Sequence, residues 1–232
     1  MTQVLLAQAP NRPEALGRAL DVLTDEERGR IGRFRRPADA ASFAAGRALV
    51  RLALAQIVGA SPRELVFDTW CELHASTHGK PRLVQPAAEL DFSLSHAGSR
   101  LVLAVSSAPV GVDVERLDRG AESGVERLAF AEDERAELEA VPPGDRARAF
   151  LVCWTRKEAV LKALGHGLAV DPRGVSVTFL EGGEPRVRHL PEEFGPAEAW
   201  SLVPLEGDDW IGALAVRGSA AVRVESAQHL LA

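Results

Sequence analysis

Apolar and polar positions along the chain alternate between two periods, and the switch occurs twice in the same order. Over residues 40–57, Phe43, Leu49, Val50, Leu52, Leu54 and Ile57 recur at a helical spacing, and Gly59 follows as a stop. Short β-branched or alternating runs come next, at 65–67, 90–94, 101–106 and 110–114, separated by turn residues. A second helix is predicted over 147–164, with Trp154, Val160, Leu161 and Leu164 on one stripe and Gly165 and Gly167 closing it. Runs at 174–180, 199–204, 210–216 and 220–225 follow it. Ahead of both sets, Leu23-Thr24-Asp-Glu-Glu27 reads as a helix start with acids in the first turn. Helices grouped with mostly antiparallel strands make an α+β protein.

The two sets align as a repeat at an offset of about 110 residues. Ser-Pro-Arg-Glu-Leu-Val-Phe (61–67) pairs with Asp-Pro-Arg-Gly-Val-Ser-Val (171–177), and Gly79-Lys-Pro-Arg-Leu with Gly183-Glu-Pro-Arg-Val. Phe92-Ser-Leu pairs with Trp200-Ser-Leu, and Val112-Asp-Val-Glu115 with Val222-Arg-Val-Glu225. On this register the helices place Phe43 with Trp154, Arg47 with Glu158 and Arg51 with Lys162, while residues 116–146 look like inserted helix with little counterpart. The expected fold is a pseudo-dimer of two duplicated α/β halves, 1–109 and 110–232, with one polar cleft between them.

Composition narrows the class. A 232-residue chain with 46% hydrophobic and 26% charged residues can bury a real core. No apolar run approaching the ~20 residues of a membrane span is evident, and Met1 to Ala9 lacks the basic start of a signal peptide. These readings favour a cytoplasmic location. Two cysteines, Cys71 and Cys153, make no disulfide framework. A net charge of −6 argues against a general nucleic-acid binder. Yet Arg28, Arg30, Arg33, Arg35, Arg36, Arg47 and Arg51 cluster against the single acid Asp39, which suits a small polyanion. Only Lys80, Lys157 and Lys162 are lysines.

Candidate chemistry concentrates in a few motifs. In Val110-Gly-Val-Asp113-Val-Glu115 a strand turns Val110, Val112 and Val114 to the core and Asp113 with Glu115 to the opposite face. Two adjacent carboxylates repel unless a cation or proton lies between them, and hard oxygen ligands suit Mg²⁺; a pair of solvated acids on an exposed strand is the simpler alternative. Glu158 and Lys162 lie one helical turn apart, which fits either a surface ion pair or a third metal carboxylate with a phosphate-neutralising cation. Phe92-Ser93-Leu-Ser95-His96 ends a strand, where Ser and His can donate to phosphate. Gly79-Lys80-Pro81 is a turn presenting one ammonium. Cys71, His74 and His78 are too loosely spaced to make a convincing metal site.

Taken in order, Gly79-Lys-Pro, Phe92-Ser-Leu-Ser-His96, Val110-Gly-Val-Asp-Val-Glu115, Phe130-x-x-x-Glu134 and Trp154-x-x-Lys-Glu-Ala-x-x-Lys162 resemble the surfactin-type 4′-phosphopantetheinyl transferases. The resemblance runs from about residue 20 to 180. It implies two α+β halves with coenzyme A between them and Mg²⁺ on Asp113, Glu115 and Glu158. Coenzyme A would lie against Arg30, Gly79, Lys80, Pro81, Ser93, Ser95 and His96, together with Glu158 and Lys162. The catalytic set would be Glu158, Lys162 and Asp113, moving phosphopantetheine onto a serine of an apo acyl or peptidyl carrier protein. The repeat already supplies both halves of such a cleft, so a monomer is expected. A non-catalytic relative that binds coenzyme A or a carrier, and a metal-dependent phosphoesterase, are the alternatives.

Overall fold

The computed structural model describes residues 1–69, 79–119, 124–165, 170–219 and 221–232. In chain order the elements are β1 (Thr2–Gln8), α1 (Asp25–Ile31), α2 (Pro37–Val58), β2 (Val66–Asp68), β3 (Arg82–Gln85), β4 (Asp91–Ala97), β5 (Arg100–Ser106) and β6 (Val110–Arg116). There follow α3 (Val125–Ala129), α4 (Glu132–Ala140), α5 (Arg146–Leu164), β7 (Ser176–Val177), β8 (Val187–His189), β9 (Trp200–Gly207), β10 (Trp210–Arg217) and β11 (Val222–Ser226). The two larger sheets have the orders β11-β1-β5-β4 and β6-β10-β9, and β2-β3 and β7-β8 are separate two-stranded sheets. All their neighbours are antiparallel except β1 and β11. β1, which the sequence reading did not foresee, pairs on both sides and draws the last strand of the chain into the first half's sheet.

Each half has its own core, and a third core is shared. α2 covers one face of the first sheet, burying Leu49, Val50 and Leu54 against Leu101 and Leu103. α5 does the same for the second with Leu151, Val160 and Ala163. Val4, Val102 and Ala104 of the first sheet meet Val112, Val114 and Leu214 of the second in the shared layer. The buried stripe of α2 is mainly alanine: Ala41, Ala44, Ala45 and Ala48 are almost fully buried, whereas Ile57, assigned to the core by periodicity, is 47% exposed. Its alanine content makes α2 long and apolar enough to pass for a membrane span, a feature the sequence reading overlooked. The helix is mostly buried within the protein and carries the buried Arg51.

The halves correspond differently from the register that sequence identity suggested. Both long helices end on a left-handed glycine, Gly59 and Gly165, where a residue with a Cβ would be strained. Counting back from these caps matches Arg51 with Lys157, not with Lys162. The hydrogen bonds agree. Arg51 donates to the Leu65 carbonyl and to Glu27, and Lys157 donates to the Val175 carbonyl and, at 2.5 Å, to Glu134. Glu27 and Glu134 each accept the backbone N–H three residues upstream, at the start of α1 and of α4. So α4 is the counterpart of α1, and segment 116–146 is not without an equivalent. The pairings of Arg47 with Glu158 and of Arg51 with Lys162 are displaced by five residues. Four of the five residues arise because the connection after α5 is longer by that many than the one after α2, counted from the capping glycine to Pro62 or Pro172. Similarity of the flanking strands therefore overran the helix register.

Lys157 and Glu134 are 1% and 0% exposed, so each depends on the other for its charge. Lys157→Met should cost about 3–5 kcal/mol by leaving the buried Glu134 without its cation, while Lys157→Met/Glu134→Gln, which removes the stranded charge and keeps an acceptor for the Ala131 or Val177 N–H, should recover part of that loss. Thermal unfolding of both variants checks this; a single variant as stable as the parent would show that the pair does not anchor α4.

Candidate functional site

β6 is an edge strand with an unusual neighbour. Its ladder to β10 uses one edge. On its other edge three side chains of β4 receive the N–H groups: Val110 donates to Asp91 Oδ2 (2.8 Å), Val112 to Ser93 Oγ (3.1 Å) and Val114 to Ser95 Oγ (3.3 Å). Because both strands have period two, residues 91, 93 and 95 meet residues 110, 112 and 114 in step. The seam joins the halves without a backbone ladder and leaves no N–H at these positions unpaired, as burial requires. Lys80 closes its upper end, donating to Asp91 and to the Val110 carbonyl (2.6 Å). Burial lowers the Lys80 pKa, and Asp91 offsets part of that effect.

The opposite face of β6 carries the acids. Gly111 is the contact point with α5: a Cβ there would lie 2.0 Å from the Ala159 carbonyl oxygen and 2.4 Å from the Ala163 nitrogen. The missing side chain lets the helix backbone settle on the strand, which brings Glu158 and Lys162 beside Asp113. Lys162 Nζ lies 2.6 Å from Asp113 Oδ1 and 3.2 Å from Ser95 Oγ, and Ser95 donates to the same carboxylate oxygen at 2.9 Å. Asp113 is only 5% exposed, and its Oδ2 is buried without a hydrogen bond from any described group. Burial raises the Glu158 pKa, the Asp113 charge raises it further and Glu115 adds to this, against the lowering effect of Lys162. Three carboxylates thus share one field. They do not form a closed cage: among the described residues no three acidic, His or Cys side chains are grouped to hold an ion. Lys162 holds Asp113, and Arg119 pairs with Glu115.

The space in front of this group is a cleft of about 410 Å³ between the halves. Gly79, Lys80, Pro81, Ser93, Glu158 and Lys162 line it, with apolar walls from Phe92, Leu94, Leu161 and Val170. Sequence motifs far apart in the chain therefore converge as expected, but several roles shift. Ser93 and Ser95 accept amides of β6 through their hydroxyl oxygens, and Lys80 donates to Asp91 and to the Val110 carbonyl, so all three also serve the seam. His96 is exposed and Arg30 lies with its guanidinium 4.9 Å from the centre of the Phe43 ring; neither is among the described cleft-lining residues. Cys71, His74, His78 and Gly167 lie outside the described residues.

Arg47 belongs to the lining and was missed as a site residue. It pairs with Glu27 (2.6 Å), whose carboxyl is raised by burial but brought below its ordinary range by Arg51, Arg47 and the Thr24 amide. Its position one turn from both Phe43 and Arg51 was the available signal.

An ion fits the donor set on one specific ground: Asp113 Oδ2 is buried without a hydrogen-bond partner among the described residues, and Asp113 helps to raise the pKa of the Glu158 carboxyl. The proton on Glu158 favours the folded state, so its stabilising effect is complete below the ordinary glutamate pKa and is lost as pH rises through the raised value. Without divalent ions, Glu158→Gln should raise Tm at neutral pH by about 2–4 °C and flatten the pH dependence. The same change should abolish any stabilisation by added Mg²⁺. Scanning fluorimetry across pH, with chelator and with Mg²⁺, reads both effects; a lower Tm or an undiminished Mg²⁺ response would contradict the shared field.

Comparison with known proteins places these residues in context. A family model described as the 4′-phosphopantetheinyl transferase superfamily matches residues 109–215, and one described as the 4′-phosphopantetheinyl transferase N-terminal region matches 9–108. The chain is 33% identical over 204 residues to the 4′-phosphopantetheinyl transferase HetI of Nostoc sp., covering 84% of this chain and 79% of that one. A Bacillus subtilis 4′-phosphopantetheinyl transferase is 29% identical over 189 residues, 80% of each chain. The Sfp transferase of Bacillus subtilis is 25% identical over 187 residues, 81% of this chain and 80% of its own.

Proposed function

The chain belongs to the 4′-phosphopantetheinyl transferase superfamily, and from that premise we propose that it transfers the 4′-phosphopantetheine group of coenzyme A to a serine of an apo carrier protein, with Mg²⁺ held by Asp113, Glu115 and Glu158. The observation that carries the reading is the buried, unsatisfied Oδ2 of Asp113, whose other oxygen is held by Lys162, a residue that lines the cleft between the halves together with Glu158.

The reaction forms a bond from the serine oxygen to the phosphorus that bears pantetheine. It breaks that phosphorus's bond to the bridging oxygen, so adenosine 3′,5′-bisphosphate leaves. Phosphoryl transfer asks for positioning and charge neutralisation more than for covalent chemistry. Mg²⁺, when held by Asp113, Glu115 and Glu158, would supply Lewis-acid neutralisation of phosphate charge. Lys162 releases part of its hold on Asp113 to meet phosphate charge from the end of α5. Glu158, a carboxylate with a raised pKa, is suited to accept the serine proton, directly or through a water. Leu94, Leu161 and Phe92 form the apolar wall along which a pantetheine arm lies. Both halves come from one chain, so one copy suffices, and a cytoplasmic monomer is part of the proposal.

Protein, coenzyme A and Mg²⁺ are incubated with a panel of apo acyl and peptidyl carrier proteins, and the carriers are weighed. At least one carrier gains the phosphopantetheine mass. Asp113→Ala and Glu158→Ala lower the rate by at least about 10³-fold while the circular dichroism spectrum is retained. Coenzyme A binding without any mass gain would favour the non-catalytic relative, and unchanged rates in either variant would refute the metal assignment.

A further inference from the structure

On the far side of α5 from the cleft lies a cavity of about 500 Å³, lined by Ala149, Val152, Arg156, Phe179, Leu180 and Ile211 among others. At 100° per residue, positions 149, 152 and 156 share one stripe of the helix, and 158, 161 and 162 lie on the opposite one. The two pockets are therefore separated by the thickness of a helix. Nothing proposed for the transfer reaction uses this one.

Arg156 is its anomaly. It is 8% exposed, and it has no ion pair with any described carboxylate. The Thr178 carbonyl accepts one of its hydrogen bonds. Burial lowers its pKa, and the nearby Cys153 offsets only part of this. An arginine cannot escape burial by deprotonating, so a guanidinium without a carboxylate partner beside an open cavity, with Val152, Phe179 and Ile211 on its apolar side, is a place for an anion. The rim limits which anion. Glu206 is already paired with Arg148 (2.9 Å), while Asp145 and Glu181 are exposed at the mouth. A single positive charge beneath a partly acidic rim suits a monoanion better than a phosphate dianion. The Val152, Phe179, Leu180 and Ile211 walls suit an aliphatic body.

We propose that this cavity is a second ligand site, which binds a medium-chain aliphatic monocarboxylate with its head group on Arg156.

Submicellar sodium octanoate is titrated into the full chain by calorimetry, with inorganic phosphate and sodium chloride as controls. Octanoate binds and phosphate does not. Arg156→Met weakens octanoate about tenfold or more, the loss expected for one charge-assisted hydrogen bond. If Arg156→Met does not fold, Val152→Phe, which fills the cavity and keeps the guanidinium, serves instead and shows the same loss. Arg148→Ala, at the rim, retains binding. Absence of octanoate binding to the parent chain, equal affinity in the parent and the variant that folds, or phosphate binding as tightly as octanoate would each overturn the site.

Discussion

The N–H edge of β6 is satisfied by side chains, not by a neighbouring backbone, and the organisation of the cleft follows from that substitution. A normal ladder on this edge would zip the two sheets into one and leave no room between the halves. Asp91, Ser93 and Ser95 instead meet alternate amides of β6, and Ser95 uses its remaining capacity to hold one oxygen of Asp113. The other oxygen is left buried without a hydrogen bond from any described group. One pair of short serines thus does two jobs: it joins the halves and it orients the acid on which the proposed metal site depends.

The helix opposite is placed by an absence. With no side chain at Gly111, α5 rests its backbone on β6. The helix then presents two faces with different chemistry, Glu158 and Lys162 toward the cleft and Arg156 toward the outer cavity. Between these, Lys157 points into the core and ties α4 to the second half, as Arg51 ties α1 to the first. The duplicated frame is therefore held by equivalent ion pairs, while the reactive groups occur on one helix only: counted from the capping glycines, Glu158 and Lys162 correspond to Leu52 and Gln56 of α2.

Much of this was legible in the sequence because it is local or periodic. Period two put Val110, Val112 and Val114 in the core and Asp113 on the opposite face, and the Thr24–Glu27 pattern marked the start of α1. Duplication was visible in the strand motifs. What escaped depended on long-range partners. β1 lacks clean alternation because it is central and covered on both faces. The seam contacts of Ser93, Ser95 and Lys80 were not legible, because a polar residue at a strand end reads only as a ligand donor until the strand beside it is known. The helix register failed because the loop after α5 differs in length from its counterpart, and alanines, carrying little hydrophobic signal, hid which face of α2 is buried.

A crystal grown with coenzyme A and Mg²⁺ tests the central assignment most directly. The account predicts a cation bonded to Asp113 Oδ2 and to a Glu158 oxygen, with Lys162 shifted from Asp113 toward phosphate and the three β4 side chains still on the amides of β6. A cation bound elsewhere, with the Lys162–Asp113 pair intact and Glu158 turned away, would contradict it.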